Sequence, residues 1–158
     1  MPKPANPIPP GFHSLTMHIT VKGAATYLDF LKKAFNAVEI DRSPGPGGKL
    51  MHATVRIGDS MLMLNDDFST EFHQDPVAEG NLPFVLNYYT TDADGAWNEA
   101  VGAGCEVVMP IAGQFWGDRY GLLKDPFGFK WAIALRKEDL TQEEQMARAA
   151  KVFGGGQA

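Results

Sequence analysis

The 158-residue chain has a single cysteine, so an intrachain disulfide and a zinc site of several thiolates are both excluded. That usage points to a reducing, cytoplasmic setting. No apolar run reaches the roughly 20 residues that a membrane-spanning helix needs. The Pro-rich start Met1 to Pro10 lacks the apolar middle of a secretory signal and reads as part of a flexible leader. Positive charge is also short. Fourteen Lys and Arg against 19 Asp and Glu leave a net charge of -5, which gives no general attraction for nucleic acid or an anionic membrane. What is present suits one globular domain: 44% hydrophobic residues are enough for an ordinary core, with 21% charged residues to solvate it.

Periodicity supplies the elements. From Ser14 to Val21, Leu15, Met17, Ile19 and Val21 alternate with Thr16, His18 and Thr20, as a half-buried strand requires. Tyr27, Leu28, Leu31, Ala34 and Phe35 then recur at three and four residues, the stripe of an amphipathic helix ending near Asn36. Val38 to Arg42, Leu50 to Ile57 and Ser60 to Asn65 read as three strands separated by a Pro/Gly turn and by Gly58-Asp59. The order β-α-β-β-β returns later, with a strand at Phe84 to Thr90, a helix at Asp92 to Ala103, and strands at Glu106 to Pro110, Tyr120 to Lys124 and Lys130 to Leu135.

An offset of 69 residues superposes Val21 on Thr90, Leu28 on Trp97, Val38 on Val107 and Met63 on Ala132. One register serves both halves, so the chain reads as an internal duplication carried by pattern and not by identity. The division is then a flexible leader (1–12), a first βαβββ module (13–66), a linker (67–82), a second βαβββ module (83–136), and a C-terminal helix with a Gly-rich tail (137–158). Thr141-Gln142-Glu143-Glu144 has the form of a capping box and should open that last helix.

Three stretches together resemble the vicinal oxygen chelate (glyoxalase/bleomycin resistance protein/dioxygenase) superfamily, and within it the PhnB-like branch. They are Ile19-Thr20-Val21 into Tyr27-Leu28-Asp29-Phe30; Met51-His52-Ala53 through Arg56-Ile57-Gly58-Asp59-Ser60 to Leu62-Met63-Leu64; and Phe115-Trp116-Gly117-Asp118-Arg119-Tyr120-Gly121 followed by Asp125-Pro126-Phe127-Gly128 and Trp131. The resemblance implies an α+β fold in which duplicated βαβββ modules form a curved mixed β-sheet cup with helices outside. It also implies a small-molecule site, and a homodimer as in many members. The family mixes lyases, isomerases, dioxygenases and non-catalytic drug-binding proteins, so fold alone does not decide function.

The family's metal enzymes take His, Glu or Gln ligands from the first and last strands of each half. Counting from the strand ends carries those positions to Thr16, Met63, Val85 and Ala132. A thioether, an isopropyl group and a methyl cannot hold a hard divalent cation, and one neutral hydroxyl is a poor substitute. The expectation is therefore no metal and no cofactor. The exception would be a displaced divalent site using His18 and His52, completed by Asn87 or Asp66.

Other polar side chains fall on the non-core parity. His18 is the candidate catalytic acid or base, with a hydrogen-bonded histidine lining a cavity as the plainer reading. His52 shares its parity with Thr54 and Arg56, whose planar fork suits a carboxylate or phosphate; a solvated or interface-facing row is the alternative. Asn87 is the counterpart of His18 at the same 69-residue offset. Trp116 and Arg119 suit a ligand rim, unless Arg119 is tied to Asp118 or Asp125 within its loop. Asp125-Pro126-Phe127-Gly128 reads as a turn without chemistry, and Cys105 as a small buried residue. Phe68, Phe72 and His73 lie in the link between halves and either cover the site or cross the surface.

Two functions follow. One is a small-molecule binding protein without the usual metal, its site built from Thr16, His18, His52, Arg56, Asn87, Trp116 and Arg119; the acidic balance would suit a cationic ligand. The other is a lyase, isomerase or dioxygenase using a displaced metal or a His18-centred acid/base pair. A regulatory domain with a vestigial cup, filled by its own side chains, is a third reading.

Overall fold

The computed structural model describes residues 5–69 and 82–154, which divide into two compact units, 1–81 and 82–158. In the first unit the order is β1 (Met17–Val21), α1 (Ala24–Phe35), β2 (Val38–Pro44), β3 (Leu50–Ile57) and β4 (Ser60–Asp66). In the second it is β5 (Leu86–Tyr89), α2 (Ala93–Gly102), β6 (Glu106–Gly113), β7 (Asp118–Lys124) and β8 (Lys130–Arg136), followed by α3 (Gln142–Gly154). Each unit holds a curved, open four-stranded mixed sheet, ordered β1-β4-β3-β2 and β5-β8-β7-β6. The outer strand β1 runs parallel to β4, and β5 parallel to β8, while the remaining pairs are antiparallel. This is the α+β architecture of duplicated βαβββ modules that the sequence led us to expect.

The repeat is visible in the pairing register. His18 lies opposite Met63 and Asn87 opposite Ala132, preserving the 69-residue offset in both members of each pair. The offset slips by one in β7, because Thr54 faces Met63 whereas Leu122, not Leu123, faces Ala132. The β7–β8 turn is longer than the two-residue Gly58-Asp59 turn and absorbs the change.

In the first unit, α1 buries Tyr27, Leu28, Phe30, Leu31, Ala34 and Phe35, with Tyr27 and Phe30 stacked at 5.8 Å. The sheet supplies Ile19, Val21, Ala53, Val55, Leu62 and Leu64, all buried, as alternate residues of β1, β3 and β4. The helix has no side-chain cap of its own. Its N-cap is Gly23 at φ 80°, a left-handed conformation that favours glycine, and the anion comes from β4. The buried Asp66 carboxylate accepts from Gly23 N–H (2.9 Å) and Ala24 N–H (3.0 Å) through Oδ1, and from Leu50 N–H (2.7 Å) through Oδ2. One side chain thus satisfies the first helical donors and pins the start of β3.

The second unit has its own core of Ala93, Trp97, Ala100, Leu123, Phe129, Trp131 and Ile133. Asp125 organises its last turn, accepting from Phe127 N–H and Phe129 N–H at 2.9 and 3.0 Å and from Trp131 Nε1–H at 3.0 Å. Gly121 is needed for close approach: a Cβ there would overlap the Trp97 ring and stand 2.8 Å from Ile111 Cα.

Several boundaries differ from the sequence reading. β1 starts at Met17, not Ser14, and α1 starts at Ala24. β6 continues past Pro110 to Gly113, because it is an edge strand with register shifts around Met109 to Ala112, where a missing N–H leaves no ladder bond broken. β7 begins at Asp118, and Gln114 to Gly117 form a tight turn closed by Gly117 N–H on Gln114 O (3.1 Å). The capping box is present: Glu144 N–H donates to Thr141 Oγ1 (3.2 Å), and Thr141 N–H to Glu144 Oε2 (2.8 Å). Phe72 and His73 fall outside the described residues, as does the tail beyond Gly154.

Replacing Asp66 by Ala should leave three N–H groups without their shared acceptor and cost about 2–4 kcal/mol, since hydrogen bonds to a charged group contribute about 1.5–3 kcal/mol each and water relaxes part of the loss. Equilibrium urea unfolding reads this directly. A loss no larger than that of an exposed surface substitution would show that the carboxylate is not the anchor.

Candidate functional site

The sheet face of the first unit that points away from α1 carries the polar residues. Parity places His18 and Thr20 of β1, Met61, Met63 and Asn65 of β4, and His52, Thr54 and Arg56 of β3 on this side. β2 would present Ile40 here if it alternated regularly. It does not: the pairing runs Val38–Arg56, Glu39–Val55, then Asp41–Thr54, so one extra residue is bulged out. The bulge turns Asp41 toward Thr54 while Glu39 and Arg42 stay on the helix side. There Glu39 accepts from Arg42 Nε (2.7 Å) and Lys32 Nζ (2.7 Å), and the two cations hold its carboxyl down at about 2.

A cavity of about 570 Å³ opens over this face, lined by Thr16, Asp41, His52, Thr54 and Met63 from the sheet side. Its other wall is the segment before β1: Pro7, Ile8, Pro9, Phe12, His13 and Ser14. A turn closed by Phe12 N–H on Pro9 O (3.1 Å) shapes that segment, and Gly11 lets it approach the Met61 methyl. The sequence reading treated residues 1–12 as a flexible leader and named none of them in the site, whereas Pro7, Ile8, Pro9 and Phe12 line the cavity.

His52 is the centre of the polar side. Its Nε2 lies 3.0 Å from Thr54 Oγ1 and 3.8 Å from Asp41 Oδ1, and its ring meets the His18 ring edge-on at 5.7 Å between centroids. Asp41 and Thr54 approach the same ring nitrogen, so an acid–imidazole–hydroxyl relay, which needs one partner on each nitrogen, is not assembled. Thr54 is also 1% exposed, which removes its hydroxyl from any bulky substrate. Thr16 Oγ1 donates weakly to His13 O at 3.4 Å, holding the leader to the strand.

Within the first unit, the structure gathers part of the expected site. Thr16 and His52 line the cavity, and His18 stands beside it. Arg56 shares the face but is exposed, its guanidinium turned to Gly58 O at 3.4 Å. Asn87, Trp116 and Arg119 belong to the second unit. Arg119 is tied neither to Asp118 nor to Asp125. It grips Asp94 in the first turn of α2 with two nitrogens, Nε at 2.9 Å being one, and this pairing lowers the carboxyl's pKa. Asp118 instead receives the Tyr89 hydroxyl at 3.4 Å. Trp116 packs edge-on against Phe115 (5.1 Å) and Tyr120 (5.3 Å). Burial, with help from the Asp125 charge, pushes the Cys105 thiol up to about 12, which fits the small buried residue expected and not a nucleophile.

Of the two residues named to complete a displaced metal site, Asn87 or Asp66, the geometry removes Asp66. Asp66 pairs with Val21 in the β1–β4 register and faces α1, opposite in parity to His18, so it cannot join His18 and His52. Among the described residues no three His, Cys, Asp or Glu side chains are disposed to hold an ion. At the inherited ligand positions, Thr16 and Met63 offer a hydroxyl and a thioether, Ala132 is a buried methyl, and Val85 precedes β5. In neither unit do the residue types at these positions suit a hard divalent cation. Sequence reasoning missed Asp41, because the bulge that aims it leaves no mark in the alternation, and it missed Ile8 and Phe12, whose apolar character within a Pro-rich stretch was the available signal.

Residues 11–133 match the family model described as the Glyoxalase/Bleomycin resistance protein/Dioxygenase superfamily. An uncharacterized protein of Mycobacterium tuberculosis is 39% identical over 137 residues, covering 85% of this chain and 81% of that one. Among solved structures, TioX from Micromonospora sp. ML1 superposes with a TM-score of 0.63 at 20% identity, over 77% of this chain and 97% of TioX. The PhnB protein from Bacillus cereus superposes at 0.58 and 16% identity, over 78% and 99%. At such identities these two structures establish the shared fold.

Thr54→Val should keep the fold at a cost of about 1 kcal/mol, the usual worth of a neutral hydrogen bond, while releasing His52 Nε2. The ¹⁵N shifts of the His52 ring should then move toward those of a freely exchanging imidazole. Unchanged ring nitrogens would mean that the hydroxyl does not hold the ring.

Proposed function

The chain belongs to the glyoxalase/bleomycin resistance protein/dioxygenase superfamily, and from that premise we propose that it binds a small organic molecule on the α1-distal sheet face of its first unit, without the metal that the family's enzymes use. The observation that carries this reading is the cavity of about 570 Å³ beneath Pro7 to Ser14, within the range of small-molecule sites and lined by both apolar and hydrogen-bonding side chains. Thr16, His52 and Asp41 supply orientation, and Ile8, Phe12 and Met63 supply apolar area. The donor chemistry of Thr16, Met63, Val85 and Ala132 supports a site that works without an ion or other cofactor. We place the chain in the PhnB-like branch, on the sequence stretches quoted above and the likeness to the Bacillus cereus protein. We further read it as a cytoplasmic homodimer with no nucleic-acid or membrane partner; no helix among the described residues is long and apolar enough to cross a membrane.

One observation favours a second reading, an enzyme of lyase, isomerase or dioxygenase type. His18 and His52 meet at 5.7 Å beside the cavity, and two imidazoles so placed can share a proton or two ligand bonds.

Elemental analysis of protein purified without added metal, combined with a thermal-shift series over divalent ions, separates the two. We expect substoichiometric metal and no ion-specific stabilisation. Stoichiometric metal that disappears in both His18→Ala and His52→Ala would replace the binding reading with the enzyme one. Light scattering at micromolar concentration should give twice the monomer mass of 17.2 kDa, and a monomer would remove the dimer from the proposal.

A further inference from the structure

We propose that the cavity of the first unit takes an apolar cation, an amine carried on a hydrophobic body, with its ammonium at Asp41. This rests on the small-molecule reading above and names the class of ligand.

Charge inside the cavity has one sign. Among the described residues, Asp41 is the only Asp, Glu, Lys or Arg that lines it. Its carboxylate, 53% exposed, meets no lysine or arginine there; its nearest polar contact is His52 Nε2 at 3.8 Å, beyond hydrogen-bond reach. Arg56, exposed on the same face, turns to Gly58 O and does not line the cavity. Lys32 and Arg42 both close on Glu39, on the other side of the sheet from the cavity. The bulge thus separates two acidic residues two positions apart, delivering one to the local cations and the other, unneutralised, to the cavity.

The remaining wall suits the rest of such a ligand. Pro7, Ile8, Pro9 and Phe12 form an apolar surface, with the Met63 thioether across from them, and Ile8 is left 48% exposed. An aromatic or aliphatic body against this wall leaves its ammonium free to reach Asp41. Phe12 adds a ring face, which attracts cations. An anionic ligand finds no comparable partner, since among the described residues no Lys or Arg lines the cavity.

The test uses three probes of one shape, 1-naphthylmethylammonium, 1-naphthylmethanol and 1-naphthoate, titrated into the full chain at about pH 8, where histidine is neutral, and followed by amide NMR shifts. The ammonium should bind about 3- to 5-fold tighter than the alcohol, the most that a half-exposed ion pair yields, with shifts at Thr16, His52 and Thr54. Asp41→Asn should remove that advantage and leave the alcohol unchanged. Asp59→Asn, which deletes the same charge in the exposed β3–β4 turn, should leave it intact. If the alcohol binds at these residues as tightly as the ammonium, or if Asp41→Asn leaves the ammonium's advantage, the cation proposal falls and the binding reading stands. If none of the three shifts these residues, both fall.

Discussion

Three backbone N–H groups converge on the Asp66 carboxylate, and the arrangement of the first unit depends on that convergence. It supplies the anion that Gly23 cannot, fixes where α1 begins, and joins that point to the start of β3. With α1 locked to one side of the sheet, every second residue of β1, β3 and β4 is committed to the core. The residues between them, His18, His52, Thr54 and Met63, are left facing the other way. The site is what remains when the helix has taken its face.

On that face a single inserted residue alters the chemistry. Without the bulge at Ile40, the isoleucine side chain would stand opposite Thr54, Asp41 would turn to the helix side beside Glu39, and Arg42 would turn to the cavity face. With it, the cavity acquires a carboxylate beside His52. The Pro-rich segment forms the opposite wall of this open cavity: its prolines restrict the backbone, and Ile8 and Phe12 supply apolar area. A short stretch before the first strand and one irregularity in the second together turn a sheet surface into a concave site.

The second unit repeats the pairing without repeating this chemistry. Ala132 and Ala134 stand, fully buried, where Met63 and Asn65 stand in the first unit. Its polar residues serve structure: Asp125 holds a turn, Arg119 holds α2 through Asp94, and Asp118 receives the Tyr89 hydroxyl. Burial and the neighbouring Asp118 charge raise the pKa of that tyrosine, which keeps it a neutral donor. Duplicated modules are free to diverge in this way, since the strand pairing constrains backbone and burial and leaves side-chain chemistry open.

By itself the sequence determined the βαβββ order, the 69-residue repeat, the inward face of α1 and of β1 at Ile19 and Val21, and the capping box at Thr141, because each follows from local period or from contacts a few residues apart, while Leu15 and Met17, expected on the packed side, are exposed. It also determined that Thr16, Met63, Val85 and Ala132 lack the donors of a hard-cation site, since that depends on residue type alone. The tertiary structure decided where Arg119 goes, since Asp94 lies 25 positions away and no short-range rule links them. It decided that Asp66 faces α1, that β6 passes through Pro110, and that Asp41 and the Pro7–Ser14 segment meet His52. Strand pairing sets these outcomes, and a one-residue slip in pairing reverses which side of a sheet a residue occupies.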